Sequence, residues 1–310
     1  MSVLILGGAG FIGGCLVNSF QTLERKEVFI LDNFSMGNNI TSSIPPNQII
    51  ESDIRDCRAL IKVIRDVEPQ IILHLAANSD IKSSESDPDL DFNNTFGTTS
   101  SLICSIPRGL RPRVIFSSSS AIFGNSKVPL IEDAKTNPVS LYGKLKLASE
   151  LVLVDSLKCN LISELQILRF PNVVGANMTH GLLYDLERKV AKNSSTLEVL
   201  GDGYQEKPYM VVDDLIKVIR KVMNVQYSEL LKLNIGPSDT ITVREIVDIF
   251  CSAYNITPKI LYQEKKEGWI GDVPYYKFNT TKFKGMFPDL KICSSREAIT
   301  RACFSILEKI

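Results

Sequence analysis

Short apolar runs recur along the first half of the chain, and each gives way to a stretch in which apolar residues return every three or four positions. Val3–Leu6, Val28–Leu31, Ile71–Leu75, Val114–Ser117 and Leu165–Leu168 are aliphatic, short and bounded by polar or glycine residues, the pattern of buried strands. Ile49–Ile50 is a weaker candidate in a segment that ends at Asp53. Between the runs, Ile12, Leu16 and Phe20 fall at helical spacing, as do Leu60, Val63 and Ile64. Alternation of strand and helix predicts a parallel sheet with helices on both faces.

The pattern changes after Arg169. Residues 175–203 are broken by Gly and Asn, Val211–Val222 reads as a helix, and Leu231–Ile235 reads as a strand returning to the sheet. Thr242–Tyr254 starts a later helix, and the remainder, with Pro258, Pro274 and Pro288, reads as a smaller irregular lobe. The expected fold is α/β: a Rossmann-type doubly wound parallel sheet with a smaller α/β substrate-binding lobe. Residues 1–170 form the nucleotide-binding part, with 209–235 returning to it, and 171–310 belong mainly to the lobe. A cleft between the two is the natural ligand site.

Composition narrows the partners. Lys+Arg and Asp+Glu balance at 35 each, which gives no basic footprint for a polyanion, so nucleic acid is not an expected partner. Seven Cys stand singly, without a C-x-x-C, and read as reduced thiols of a cytoplasmic protein. His74 and His180 lie far apart, so no metal site is expected. No apolar run reaches the ~20 residues that a bilayer requires, and no membrane association is expected. The N-terminal segment has no basic n-region and reads as a first strand rather than a signal peptide, which makes triplets such as Asn39-Ile40-Thr41 and Asn177-Met178-Thr179 incidental.

Two patterns carry chemistry. Gly7, Gly10 and Gly13 sit between a strand and a helix, where glycines let backbone N–H groups approach a pyrophosphate at the helix N-terminus. Asp32 closes the second strand. An acid there hydrogen-bonds the ribose hydroxyls and repels a 2′-phosphate, which favours NAD over NADP. The second pattern is Tyr142-x-x-x-Lys146, preceded by a serine run that includes Ser119. The i,i+4 spacing puts phenol and ammonium on one helix face. A free phenol titrates near ~10, and a nearby cation is expected to lower that value. Tyr142 can then take a proton from an alcohol while a nicotinamide takes the hydride.

These residues resemble the extended short-chain dehydrogenase/reductase superfamily, in particular the nucleotide-sugar epimerase/dehydratase family, over nearly the whole chain. Gly7–Gly13, including Phe11 and Ile12, matches its glycine loop, with Leu6 where Thr is usual. Asp32, Asn33 and Ser35 look like the adenosine-ribose segment, and Asp53-Ile54 like the adenine contact. Leu75-Ala76-Ala77 and Asn94 resemble the nicotinamide side. Ser117-Ser118-Ser119-Ser120 looks like the serine strand, with Ser119 as the catalytic residue and Ser118 beside the substrate. Phe170 belongs to the cofactor side, and Asn172 is similar to the Asn that holds the nucleotide-sugar pyrophosphate. Lys207 replaces a phosphate-binding Arg, keeping charge but losing the fork, and Trp269 stands where many members carry another. Lys265 and Lys266 are alternative sources of charge. Asp272 belongs to the late G-D-V segment.

The resemblance also implies which reactions lack their residues. Dehydratases need an Asp-Glu pair after the catalytic Ser/Thr, and here Ser120-Ala121 stands there. Sugar-acid decarboxylases carry Glu, and C3/C5 epimerase-reductases Cys, at the Ala121 position. Oxidation and re-reduction at one carbinol remains: a 4-epimerase on a UDP-sugar, with Ser119, Tyr142 and Lys146 as the triad. A 4-ketosugar reductase uses the same triad, and a catalytically silent nucleotide-binding protein could keep the fold. Tyr276 falls where relatives wall the sugar pocket, so a UDP-hexose without a 2-acetamido group, of the UDP-glucose/UDP-galactose type, is the expected substrate. The helices near Asn94 and Tyr142 pair with their copies in related folds. A homodimer is therefore expected, using Leu102, Ile103, Leu147, Val152 and Val154.

Overall fold

The computed structural model describes residues 2–21, 27–78, 87–227, 229–269 and 271–308. Among them the strands are β1 (Val3–Leu6), β2 (Val28–Asp32), β3 (Ile49–Glu51), β4 (Ile71–His74), β5 (Arg113–Ser119), β6 (Glu164–Phe170), β7 (Asn172–Val174), β8 (Thr196–Val199), β9 (Glu206–Lys207), β10 (Tyr209–Val211), β11 (Leu230–Asn234), β12 (Ile241–Thr242) and β13 (Lys259–Tyr262). Seven of them form one sheet in the order β3-β2-β1-β4-β5-β6-β11, with every pair parallel. The order reverses between β1 and β4. Such a switch point opens a crevice at the carboxyl ends of the strands.

Side-chain alternation along the strands feeds two cores. On β1, Val3 and Ile5 pack on one face with Leu16 and Val17, while Leu4 and Leu6 pack on the other with Leu60 and Ile64. The first face is covered by α1 (Phe11–Ser19), the second by α2 (Cys57–Val67). The Asp56 side chain caps α2 by accepting from Arg58 N and Ala59 N. Next come a short helix α3 (Pro88–Asp91), a π-helical turn over Phe92–Gly97, and α4 (Thr98–Ser105). The long helix α5 (Leu141–Lys158) follows β5, with Ser140 as its cap.

The later chain is more regular than its sequence suggests. The segment 175–203 contains a helix, α6 (Leu182–Lys192), and the strand β8, which pairs in parallel with β13. Glycine supplies the N-cap of α6 without a side-chain bond, so the usual capping signal is missing. Helix α7 (Val212–Asn224) leads to β11 at the sheet edge. Helix α8 (Val243–Ala253) starts with a Thr242–Glu245 capping box. Short α9 (Thr281–Met286) and α10 (Ser295–Leu307) complete the chain, and α10 packs on β10 and α8 in a separate lobe core with Leu183, Leu197 and Phe250.

No described helix is long and apolar enough to cross a membrane. Leu102, expected at a dimer surface, is fully buried in the monomer core, and Ile103 and Val154 pack against that core. The outward apolar side chains of these helices are Phe92 and Leu151, 50% and 59% exposed.

Candidate active site

A cleft of about 490 Å³ opens at the switch point. It gathers Gly7, Gly10, Phe11, Ile12, Gly13, Asp32, Asn33, Ser35, Asp53, Ile54, Leu75, Ala76, Ala77, Asn94, Ser119, Tyr142, Phe170 and Asn172 from distant parts of the chain. The glycine loop has no room for side chains at its inner turns. A Cβ on Gly13 would lie 2.3 Å from the Gly7 carbonyl oxygen, and Gly7 itself has φ +80°. Helix α1 therefore begins close under β1, and no side chain caps its first N–H groups. Asp32 braces the loop from β2: Oδ2 accepts from Ala9 N at 2.9 Å and Oδ1 from Phe34 N at 2.8 Å. At the far end Arg55 forks onto Asp53, with N–O distances of 2.9 and 2.6 Å.

The catalytic side is built where α5 starts against the end of β5. Ser119 ends β5 in extended conformation, and its Oγ accepts from Ala121 N at 3.1 Å, capping a short 3-10 turn. Tyr142 lies in the first turn of α5. A Cβ on Gly143 would stand 2.4 Å from the Ala121 carbonyl oxygen, so glycine lets the helix start touch that turn. The contact brings Tyr142 to the cleft wall beside the Ser119 side chain. One turn on, Lys146 is 2% exposed and does not line the cleft. Its Nζ donates to the Ser117 carbonyl at 2.8 Å and lies 5.8 Å from the centre of the Tyr142 ring.

Several expected residues lie outside the cleft lining. Ser117 Oγ donates to the His74 carbonyl at 2.9 Å. Ser118 turns to the opposite face, where its hydroxyl bonds Glu150. Glu150 also receives the Arg169 guanidinium at 2.9 and 2.6 Å. Lys207 is paired with Asp272, whose Oδ2 accepts from Gly268 N at 3.0 Å and whose N donates to the Trp269 carbonyl at 3.1 Å. Lys265 and Lys266 are exposed. Tyr276 is buried among Ile122, Phe123, Leu130 and Phe278, with Oη 2.8 Å from Ser120 Oγ. Lining residues that the sequence patterns missed include Arg55, Asn78, Thr98, Thr179 and His180. Asn94 and Thr98 arrive there through the π-helical turn, which no local motif announces.

The NAD dependent epimerase/dehydratase family matches residues 3–236. The chain belongs to this family. It is an NAD-dependent enzyme, and the loop, the Asp32 brace and the Ile54–Leu75 slot fit that dinucleotide: backbone donors for its diphosphate, an acid for its ribose and an apolar seat for its base. A UDP-glucose 4-epimerase of Rhizobium meliloti is 29% identical over 289 residues, covering 86% of each chain. One of Streptomyces lividans is 29% identical over 262 residues, covering 79% of this chain and 78% of its own. The crystal structure of a Thermus thermophilus UDP-glucose 4-epimerase in complex with NAD superposes with a TM-score of 0.86 at 25% identity, covering both chains completely.

Burial dominates the electrostatics of this family site. It raises the Tyr142 phenol above its ordinary value, helped by the Asp91 carboxylate and opposed by the Ser119 hydrogen bond. This is opposite to the lowering by a nearby cation expected from the i,i+4 spacing. Lys146 itself, however, is pushed down to about 7 by burial, against the pull of Glu150 and Asp91. His74, fully buried with Nε2 2.9 Å from Thr99 Oγ1, is driven to about 3 by desolvation and then by Lys146. Its folded value lies below its unfolded one. The stability it contributes is complete above about pH 6.5 and is lost as pH falls toward 3, with a limiting slope of about 1.4 kcal/mol per pH unit. His74→Asn should flatten urea-measured stability across that window relative to the wild type. An unchanged acid limb would show that His74 does not set it.

Proposed function

We propose that the protein is a UDP-hexose 4-epimerase of the UDP-glucose/UDP-galactose type. The observation that carries this reading is that Ser119 and Tyr142 line the cofactor cleft together, beside Ser120 and Ala121, which supply no further acid or base. Such a site has groups for moving one proton on one carbinol and none for expelling water or carbon dioxide. The 4-epimerase names of its relatives agree with it.

NAD, when bound, would supply the hydride acceptor and donor. Ser119 holds the C4 oxygen, and Tyr142 accepts its proton as the C4–H bond breaks. Lys146, when protonated, adds its ammonium one turn below. The 4-keto sugar then turns over, the C–H bond re-forms on the other face, and Tyr142 returns the proton. Atoms and electrons balance with no external reductant. Purified protein given UDP-galactose and no added cofactor should form UDP-glucose. Tyr142→Phe, which keeps the ring packed, should lower kcat by about a hundredfold or more. Dependence of turnover on added reduced nicotinamide would sink the epimerase reading in favour of a 4-ketosugar reductase.

Tyr276 lies behind the cleft lining rather than in it, and is proposed to restrict a 2-acetamido group through the Ser120 that it holds. Its hydroxyl is fixed to Ser120, the neighbour of Ser119, and its ring is wedged against Phe278, so it does not yield cheaply. The wild type should strongly prefer UDP-galactose to its N-acetyl analogue, and Tyr276→Ser should shift the ratio of kcat/KM toward the analogue by about tenfold. Equal rates in the wild type, or an unshifted ratio in a folded variant, would remove Tyr276 from this role.

A second copy of the chain is the proposed partner. Phe92 and Leu151 stand outward on the neighbouring helical segments at 92–105 and 141–158, and burying them in a twofold contact would remove both from water. Light scattering at micromolar concentration should give twice the chain mass. A monomer would refute the pairing.

A further inference from the structure

One buried acid near the catalytic helix takes no part in the steps above. Asp91 ends α3 and is fully out of water. Pro88 opens that short helix after the Asp87 cap, and the chain runs on through the π-helical turn at 92–97. Four residues past Asp91, Thr95 Oγ1 donates to its Oδ1 at 3.0 Å. Thr95 Oγ1 in turn accepts from Asn78 N at 3.2 Å, and Asn78 Nδ2 reaches the same Asp91 oxygen at 3.4 Å. Donors from two segments of the chain thus meet on one carboxylate oxygen, which fixes the group in place. Asn78 itself lines the cleft, so the carboxylate stands directly behind the wall.

Both α3 and the π-helical turn pack on α5, whose first two turns carry Tyr142 and Lys146. Titratable groups face this junction from each of its walls. His74 comes from β4, and desolvation, driving it to about 3, leaves it neutral at ordinary pH. Further along α5, Glu150 is paired with Arg169 of β6 at 2.6 Å, so their charges offset one another. Lys144 on α5 and Asp87 and Asp89 at the start of α3 are exposed, where water and salt screen them. Asp91 is not screened in this way, and its charge reaches both members of the pair. Behind the larger effect of burial, it disfavours the Tyr142 phenolate as a like charge and, with Glu150, favours the Lys146 ammonium as an opposite one.

We propose that Asp91 is a positioning residue of the reaction, a negative charge fixed behind Tyr142 and Lys146 that acts through them and sets the pH range of turnover. The assignment rests on the 4-epimerase reading above for the step it governs. Asp91→Asn tests it, because the amide oxygen still accepts from Thr95 and Asn78 while the charge is gone. With UDP-galactose as substrate, the acid and alkaline limbs of kcat against pH should both move to lower pH, by about one unit. The acid limb moves because the phenol gives up its proton more easily, the alkaline limb because the ammonium does. Asp89→Asn removes an equal but exposed charge from the same short helix and should leave both limbs in place. Asp91→Ser also removes the charge and serves if the asparagine variant folds poorly. A folded variant whose kcat falls evenly across pH, with the limbs unmoved, would overturn the assignment, and so would an equal displacement in Asp89→Asn. The nuclear magnetic resonance signal of Lys146 Cε, in protein carrying isotope-labelled lysine and identified by its loss in Lys146→Arg, gives a reading without substrate. Its titration midpoint should fall by a similar amount in Asp91→Asn, and an unmoved midpoint would count decisively against the role. Failure of the wild type to turn over UDP-galactose would overturn the 4-epimerase reading, and the Lys146 titration would then decide the role of Asp91.

Discussion

The start of α5 pressing against the turn after β5 is the contact on which the site depends. Gly143 makes it possible, because any side chain there would collide with the Ala121 carbonyl. The contact fixes Tyr142 near Ser119 at the end of a sheet strand, so the two side chains share one rigid frame. Lys146 ties the same helix to the same strand from below through the Ser117 carbonyl. The cofactor half is set by a similar logic. Gly13 and Gly7 allow α1 to begin against β1, and Asp32 braces the loop between them. Two tight helix–strand junctions, one on each side of the switch point, define the two halves of the cleft.

The cost of this arrangement is buried polarity. Lys146, Glu150, Arg169, His74 and Asp91 all lie within a few elements of one another, each nearly or fully out of water. Glu150 is satisfied by Arg169 on one side and Ser118 on the other, and removing one member would leave the other charges uncompensated. Asp91 receives Thr95 Oγ1 at 3.0 Å and acts electrostatically on both Tyr142 and Lys146. Burial raises the phenol and lowers the ammonium, so both groups are pushed toward their neutral forms.

The parts legible in the sequence are those fixed by local backbone rules. Strand runs such as 3–6 and 28–32, the glycine loop, Asp32 and the Tyr142–Lys146 spacing all follow from periodicity and short-range sterics. What the sequence conceals depends on three-dimensional neighbours. Period-two alternation puts Ser118 on the face opposite Ser119, a consequence that the run of four serines hides. The direction of the Tyr142 shift is not legible because burial, not spacing, decides it. Leu102 has the character of surface or core equally, and only packing assigns it to the core. The helix at 182–192 lacks a side-chain cap, and His180 reaches the cleft by a return loop whose residues resemble no motif.

The central claim is that one carbinol is oxidised and re-reduced within one closed site by the same pair of groups. Deuterium at C4 of the sugar tests it most directly. UDP-galactose labelled there and incubated with purified protein alone should yield UDP-glucose that retains the deuterium at C4, on the opposite face, with no nicotinamide released to solution. Product that has lost the label, or appearance of free reduced cofactor in proportion to turnover, would contradict the account.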